Sequence, residues 1–233
     1  MIKAEKIGVI AAMQIEIDAL KERLEDATVE TVSGIDFVSG KLHGKNVIAA
    51  RCGIGKVFAA ICAQTMILNY APDCIINTGV GGALDPTLRI GDLVIGEKTV
   101  QYDMDTSAIG DPVGLVSGIN VVYFPCDAEV SSVICRASEE LGFTHKSGTI
   151  ACGDKFVADK ELKDYISGTF GAMSCDMESA AMSQVCYVNN VPFGVIRAIS
   201  DGADDGAHMD YPTFAAMAAK NGIALSDKFI ETV

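Results

Sequence analysis

The strongest constraint on this chain is a set of nearly continuous apolar runs of strand length: "KIGVIAA" at 6–12, "DCIINTGV" at 73–80 and "VPFGVIRAIS" at 191–200. A strand that is apolar on both faces needs both faces covered, which is the arrangement of a parallel sheet packed between helices. Helical patterns alternate with these runs. "QIEIDALKERLED" (14–26) places Ile17, Leu20 and Leu24 at helical spacing. "GIGKVFAAICAQTMILNY" (53–70) reads as a glycine turn opening a helix, and "DAEVSSVICRASEELG" (127–142) as another. "FGAMSCDM" reads as a strand running into the helix "ESAAMSQVCYVNN", and the final segment from about 212 as helical. Between 28 and 53, "TVETVSG", "IDFVSGKL" and "NVIAARCG" are short strands joined by Gly34 and "HGKN", so some members of the sheet are antiparallel. "GDLVIGEKTVQY" (91–102) and "HKSGTIACGD" (145–154) are further strands, and 103–126 is irregular. The expected fold is one α/β domain over residues 1–233, a three-layer sandwich with a central mixed sheet flanked by helices.

Composition narrows the function. The net charge is −13, from 31 acidic against 18 basic residues, which disfavours nucleic acid and an anionic membrane surface as partners. No window approaches the ~20 apolar residues of a spanning helix. The first apolar run is broken by Gln14 and Glu16 and lacks a signal-peptide pattern, so a cytoplasmic location is expected. The eight cysteines include no C-x-x-C pair, and His43, His145 and His208 stand far apart. No metal site or disulfide framework is expected, and the cysteines read as small packing residues.

In an α/β sheet of this kind, ligands gather at the carboxyl ends of strands. That places the candidate site at 13–16, 79–82, 153–157, 177–178 and 200–201. Neither "GIGKVF" nor "GVGGAL" matches a dinucleotide or phosphate-loop fingerprint. Each is either a tight turn needing positive φ or a close approach of backbone to a ligand. Glu16 and Glu178 sit in first helical turns, where a carboxylate complements the helix dipole by about 0.3–1 kcal/mol. Both also face the strand ends. Asp201 closes the strand "GVIRAIS" and is followed by Gly202, a position suited to an aspartate turn or to chemistry. Arg197 lies inside that apolar strand and needs a carboxylate or ligand partner, for which Glu178 or Glu16 is expected. Asp176 is expected to serve only the junction between strand and helix.

Taken together, "IGVIAAMQIEI" (7–17), "CGIGKVFAA" (52–60), "INTGVGGALDPTLRIGDLVI" (76–95), "CGDKFV" (152–157), "CDMESAAM" (175–182) and "VPFGVIRAISDGAD" (191–204) resemble the 5′-methylthioadenosine/S-adenosylhomocysteine nucleosidases of the nucleoside phosphorylase superfamily. The resemblance runs through essentially the whole chain in order. It implies cofactor-free cleavage of a purine–ribose N-glycosidic bond through an oxocarbenium-like transition state. By matching position, Asp201 would protonate adenine N7, Glu16 would orient and deprotonate water, and Glu178 would bind ribose hydroxyls. The division of labour between carboxylates parallels glycoside hydrolysis.

The resemblance further implies that Phe156 stacks on adenine, that the backbone of Val157 reads its edge, and that Met177 lines the ribose. Arg197 and Met13 would border the water, Ser200 would support Asp201, and Ile54 and Tyr211 would line an apolar 5′-alkylthio pocket. Val80 departs from the pattern, because many relatives carry a hydroxyl residue there. Thr106 and Ile109 match positions that meet a partner subunit's pocket, and a homodimer is implied. Hydrolases of 5′-deoxyadenosine or aminofutalosine are close alternatives. A purine nucleoside phosphorylase would need a phosphate pocket, for which Arg51, Lys56 and Arg89 are the basic residues near glycine turns. Glu16 opposes it, since an anion at the nucleophile site repels phosphate by roughly 1–4 kcal/mol at 4 Å. A nucleoside-sensing module is the non-enzymatic alternative.

Overall fold

The structure, a computed structural model, describes residues 3–202 and 211–233, with Tyr211 described for its backbone alone. Strand β1 (Lys6–Ala11) is buried beyond its first residue and pairs in parallel with both β4 (Lys45–Arg51) and β5 (Cys74–Ala83). The hairpin of β2 (Glu25–Val32) and β3 (Ile35–Leu42) extends the sheet antiparallel beyond β4. Helix α1 (Asp18–Lys21) is a single turn before β2, and α2 (Lys56–Tyr70) follows β4 through Gly53 and Gly55, both at positive φ. On the other side of β5 runs β10 (Phe193–Asp201), parallel to it and buried along its whole length.

The sheet then turns back on itself. β6 (Leu93–Gln101) pairs antiparallel with β10 and carries the short β7 (Tyr123–Pro125) on its flank. β8 (His145–Cys152) pairs in parallel with β6, and β9 (Ala172–Asp176) in parallel with β8. β9 then meets β5 antiparallel at Gly82↔Cys175 and Ala83↔Ser174. Five strands therefore close a ring, β5–β10–β6–β8–β9, while β1 to β4 continue the open sheet.

Helices cover both faces. One apolar layer joins Val130, Val133 and Ile134 of α3 (Ala128–Glu140) and Leu225 and Phe229 of α6 (Tyr211–Thr232) to the sheet. The opposite layer holds Ala59, Cys62 and Met66 of α2 with Met182 and Cys186 of α5 (Ser179–Asn189). The mixed, helix-flanked sheet expected from the sequence is therefore present. A third cluster lies under α4 (Lys160–Phe170), a helix not expected from the sequence. Its signals are local: Asp159 caps Leu162 N at 2.9 Å, and Gly171 ends it at φ 60°. Among the described residues no helix is long and apolar enough to cross a membrane. All eight cysteines are free thiols, and seven of them are buried.

Two expectations are corrected. The helix expected over 14–26 is only a 3-10 turn (Gln14–Glu16) followed by α1. The Glu16 carboxylate folds back onto the amides of Ala12 and Met13, Ile17 leaves helical geometry at φ −138°, and the β-branched Thr28, Val29, Thr31 and Val32 pair with β3. The cluster Gly79, Gly81 and Gly82 is not a turn either. It lies within β5, and none of the three has positive φ. Space explains it, because a Cβ on Gly81 would stand 2.8 Å from Ser174 Oγ and 3.1 Å from the Cys175 carbonyl.

Gly81→Ala is therefore expected to destabilise the fold by about 1–3 kcal/mol through overpacking. Gly168→Ala, in the interior of α4 with nothing within 4 Å, should instead stabilise it by up to about 1 kcal/mol. Urea unfolding midpoints of the two variants check the pair, and equal midpoints would contradict the close-approach reading of β5.

Candidate active site

The ring closure brings four acidic side chains to one cavity of about 310 Å³, at the small end of the roughly 300–1,000 Å³ usual for small-molecule sites. β1, β5 and β10 run in parallel, so the residues after β1 and at the end of β10 arrive together. β9 runs the other way, yet Cys175 and Asp201 both sit opposite Gly82, one on each side. The end of β9 thus delivers Asp176 and Glu178 to the same place.

Glu16 is 3% exposed. Its Oε2 accepts the amides of Ala12 at 3.0 Å and Met13 at 2.7 Å, and its Oε1 accepts the amide of Val80 at 2.9 Å. Burial pushes its pKa up, opposed by those amides and by the charge of Arg197. Gly79 gives this carboxylate room, since a Cβ there would lie 3.0 Å from Oε1.

Glu178 is 7% exposed, and its Oε1 accepts the amide of Gly55 at 2.9 Å, just before α2 begins. Burial and then the negative charge of Asp176 raise its pKa from 4.5 to about 7, against the opposing pull of Arg197 and the Gly55 amide. Asp201 ends β10, with its Oδ1 accepting the hydroxyl of Ser200 at 2.9 Å.

Beneath these groups lies Arg197, 1% exposed. Its Nε donates to Asp176 Oδ2 at 2.7 Å, one Nη donates to the Ile196 carbonyl at 2.8 Å, and the other donates to Asn77 Oδ1. Asn77 in turn donates to the Ile10 carbonyl at 2.9 Å. The partner of Arg197 is therefore Asp176, not Glu178 or Glu16, and Arg197 does not reach the cavity wall. Asp176 also does more than begin a helix. Its Oδ1 accepts the amides of Glu178 and Ser179, both at 3.1 Å, while Oδ2 holds the guanidinium. No local pattern marks this pairing, because β9 and β10 are not neighbours and both flank β5.

The structure brings most of the remaining expected residues to the cavity: Met13, Ile54, Val80, Phe156, Val157, Met177 and Ser200 all line it. Ile54 and Phe156 are more than half exposed, so the cavity is open on that side. The amide of Val80 is committed to Glu16, which leaves its side chain to form the wall. The Tyr211 side chain lies outside the described residues. Thr106 donates to Asp111 at 2.8 Å, Ile109 is 81% exposed, and neither lines this cavity. Lys163 is a neighbour the sequence did not reveal: it projects from α4 to within 4.0 Å of Asp201 Oδ2.

Buried carboxylates around a cavity with apolar walls suit a substrate that develops positive charge and exchanges protons. The family model for the phosphorylase superfamily matches residues 6–231. The 5′-methylthioadenosine/S-adenosylhomocysteine nucleosidase of Shewanella piezotolerans is 40% identical over 211 residues, covering 90% of this chain and 91% of the relative. The chain belongs to this nucleosidase family, within the phosphorylase superfamily. The Haemophilus influenzae nucleosidase is 38% identical over 94% of this chain and 96% of its own length. Among solved structures, the Neisseria meningitidis nucleosidase in complex with methylthio-immucillin-A superimposes with a TM-score of 0.94 at 34% identity, over 98% of this chain and 100% of that one. A futalosine hydrolase of Helicobacter pylori matches with a TM-score of 0.93 at 31% identity, over 98% of each chain. The nucleosidase family thus shares the fold that shapes this cavity.

The raised pKa of Glu178 has a sign that can be tested. Between about 4.5 and 7 the folded chain keeps a proton that the unfolded chain releases, so stability falls as pH rises through that window. Glu178→Gln should make the fall shallower, as read from urea midpoints at pH 5 and pH 7.5. An unchanged slope would place the proton elsewhere.

Proposed function

We propose that this chain hydrolyses the N-glycosidic bond of 5′-methylthioadenosine and S-adenosylhomocysteine, releasing adenine and the thioribose product. The observation that carries this reading is the set of buried carboxylates Glu16, Glu178 and Asp201 around one apolar-walled cavity. Asp201 donates a proton to adenine N7 as the bond to the sugar breaks. Glu178 holds the ribose hydroxyls and offers negative charge to the developing cation. Glu16, fixed by three amide donors and raised in pKa by burial, orients water and takes its proton. Phe156 and the Val157 backbone receive the base, Met13 and Met177 border the sugar, and Ile54 borders the apolar 5′ group.

Among the described residues, the basic groups that a phosphorylase reading would use do not form a phosphate site. Arg51 and Arg89 are exposed and do not line the cavity, and Lys56 is bound to Asp103 at 2.6 Å. A futalosine-type substrate remains the second reading, favoured by the fold shared with that hydrolase and by the open side at Ile54. The expected location is the cytoplasm.

Incubation with methylthioadenosine should release adenine equally with and without phosphate, followed by chromatography. A strict phosphate requirement would overturn hydrolysis. Asp201→Asn should lower turnover by about a hundredfold or more, and Glu16→Gln should lose hydrolysis while still binding nucleoside.

A homodimer is proposed as the working state. Helix α2 leaves Val57, Phe58, Ile61 and Leu68 exposed, with Val57 and Phe58 close in sequence to Ile54 at the open side of the cavity, and exposed apolar side chains grouped on one helix suit an interface between chains. Sedimentation should give twice the chain mass of 24.5 kDa, and Phe58→Glu should shift the protein towards monomer.

A further inference from the structure

Lys163 occupies a place where the helical pattern calls for an apolar residue. It is on the buried stripe of α4 with Ile166 and Phe170 and is 9% exposed. An ammonium so placed needs polar partners. Among the described residues it has two: Nζ donates to the Gly202 carbonyl at 2.8 Å and stands 4.0 Å from Asp201 Oδ2. Both contacts are made to the end of β10, where the proton-donating carboxyl sits. α4 itself is fixed at one end by the Asp159 cap and along its length by Ile166 and Phe170 in the core. The Lys163 side chain therefore starts from a rigid base.

We propose that Lys163 is a positioning residue for hydrolysis, holding the end of β10 through Gly202 and stabilising the Asp201 carboxylate left once its proton has moved to the leaving base. The inference rests on Asp201 being the acid. In that step the glycosidic electron pair leaves with the base, and the base nitrogen takes the Asp201 proton. The sugar takes hydroxide from water, whose proton goes to Glu16. Glu16 then returns a proton to solvent and Asp201 regains one, so each turnover consumes one water. At the moment of transfer Asp201 becomes an anion between the Ser200 hydroxyl and the Lys163 ammonium. A fixed cation there makes Asp201 a stronger acid towards the base, and it lowers the pH at which the carboxyl is protonated.

Among the described residues, the other ionisable groups around this carboxyl act differently. Cys175, from β9, has its thiol pushed up to about 12 by burial and stays neutral. Glu16 and Glu178 stand around the same cavity with raised pKa values, Asp176 is paired with Arg197, and Lys155 lies at the exposed rim. Those carboxylates oppose ionisation of Asp201, and Lys163 favours it.

The test uses Lys163→Met, Lys163→Gln and Lys163→Arg in the full chain. Carboxyl-carbon NMR follows the titration of Asp201 in the free protein, with the signal assigned by its loss in Asp201→Asn. The pH profile of kcat/KM for methylthioadenosine is measured alongside. Lys163→Met and Lys163→Gln should raise the Asp201 titration by about one pH unit or more. They should move the alkaline limb of kcat/KM the same way and lower kcat about tenfold or more, with KM nearly unchanged. Lys163→Arg should restore both limb and rate. If the methionine variant does not fold, the glutamine variant, which keeps a donor for Gly202, reads the same titration. An unmoved titration and limb with reduced thermal stability alone would overturn the proposal, as would an arginine variant as impaired as methionine. Absence of adenine release from the unaltered protein would instead overturn the functional reading, and the NMR titration would still judge the contact between Lys163 and Asp201.

Discussion

The guanidinium of Arg197 sits at the centre of the molecule, and the arrangement around the cavity depends on how its charge is answered. Asp176 accepts a hydrogen bond from Nε, the Asn77 side chain and the Ile196 carbonyl accept others, and Asn77 ties the cluster to β1. Removing one partner of such a pair leaves an unpaired buried charge, at a cost of about 3–5 kcal/mol. The pair also transmits geometry. Asp176 holds the amides of Glu178 and Ser179, so the orientation of Glu178 follows from the same contact that neutralises Arg197. One ion pair thereby links β1, β5, β9 and β10, the strands that border the cavity.

Above that pair, the acids are kept apart by different means. Glu16 is held by three backbone amides, which engage both of its carboxylate oxygens, and Glu178 by one. Backbone donors are rigid, so little reorganisation accompanies proton or charge transfer. Glycine in β5 supplies the room: Gly79 beneath Glu16, Gly82 beneath Asp201. A side chain at either position would push a carboxylate out of place before it disturbed the strand.

The layers of the fold were legible because β1, β5 and β10 are apolar on both faces, a pattern that only burial between helices explains. Glu16, Glu178 and Asp201 were legible as acids at strand ends. What remained hidden was long-range. Ring closure rests on two residue pairs between β5 and β9, and nothing local announces them. The sequence places Glu16, Glu178 and Asp176 all near strand ends and does not distinguish among them as partners of Arg197, which Asp176 reaches across the ring. The expected helix over 14–26 failed because a side chain needed at the cavity, Glu16, claims backbone amides. α4 was missed although its cap and terminal glycine are present, and Lys163 was missed with it.

The unpaired cysteines have a consequence of their own. Seven of the eight are buried, distributed between the layers on both faces of the sheet and the ring, while Cys135 is only partly covered. Burial raises the thiol pKa at Cys52, Cys62, Cys74 and Cys126, so almost no thiolate exists there in the folded chain. The molecule therefore carries its own chemical clock. A thiol reagent meets Cys135 at once and the others only as each layer opens, so the order of labelling maps the order in which the core comes apart.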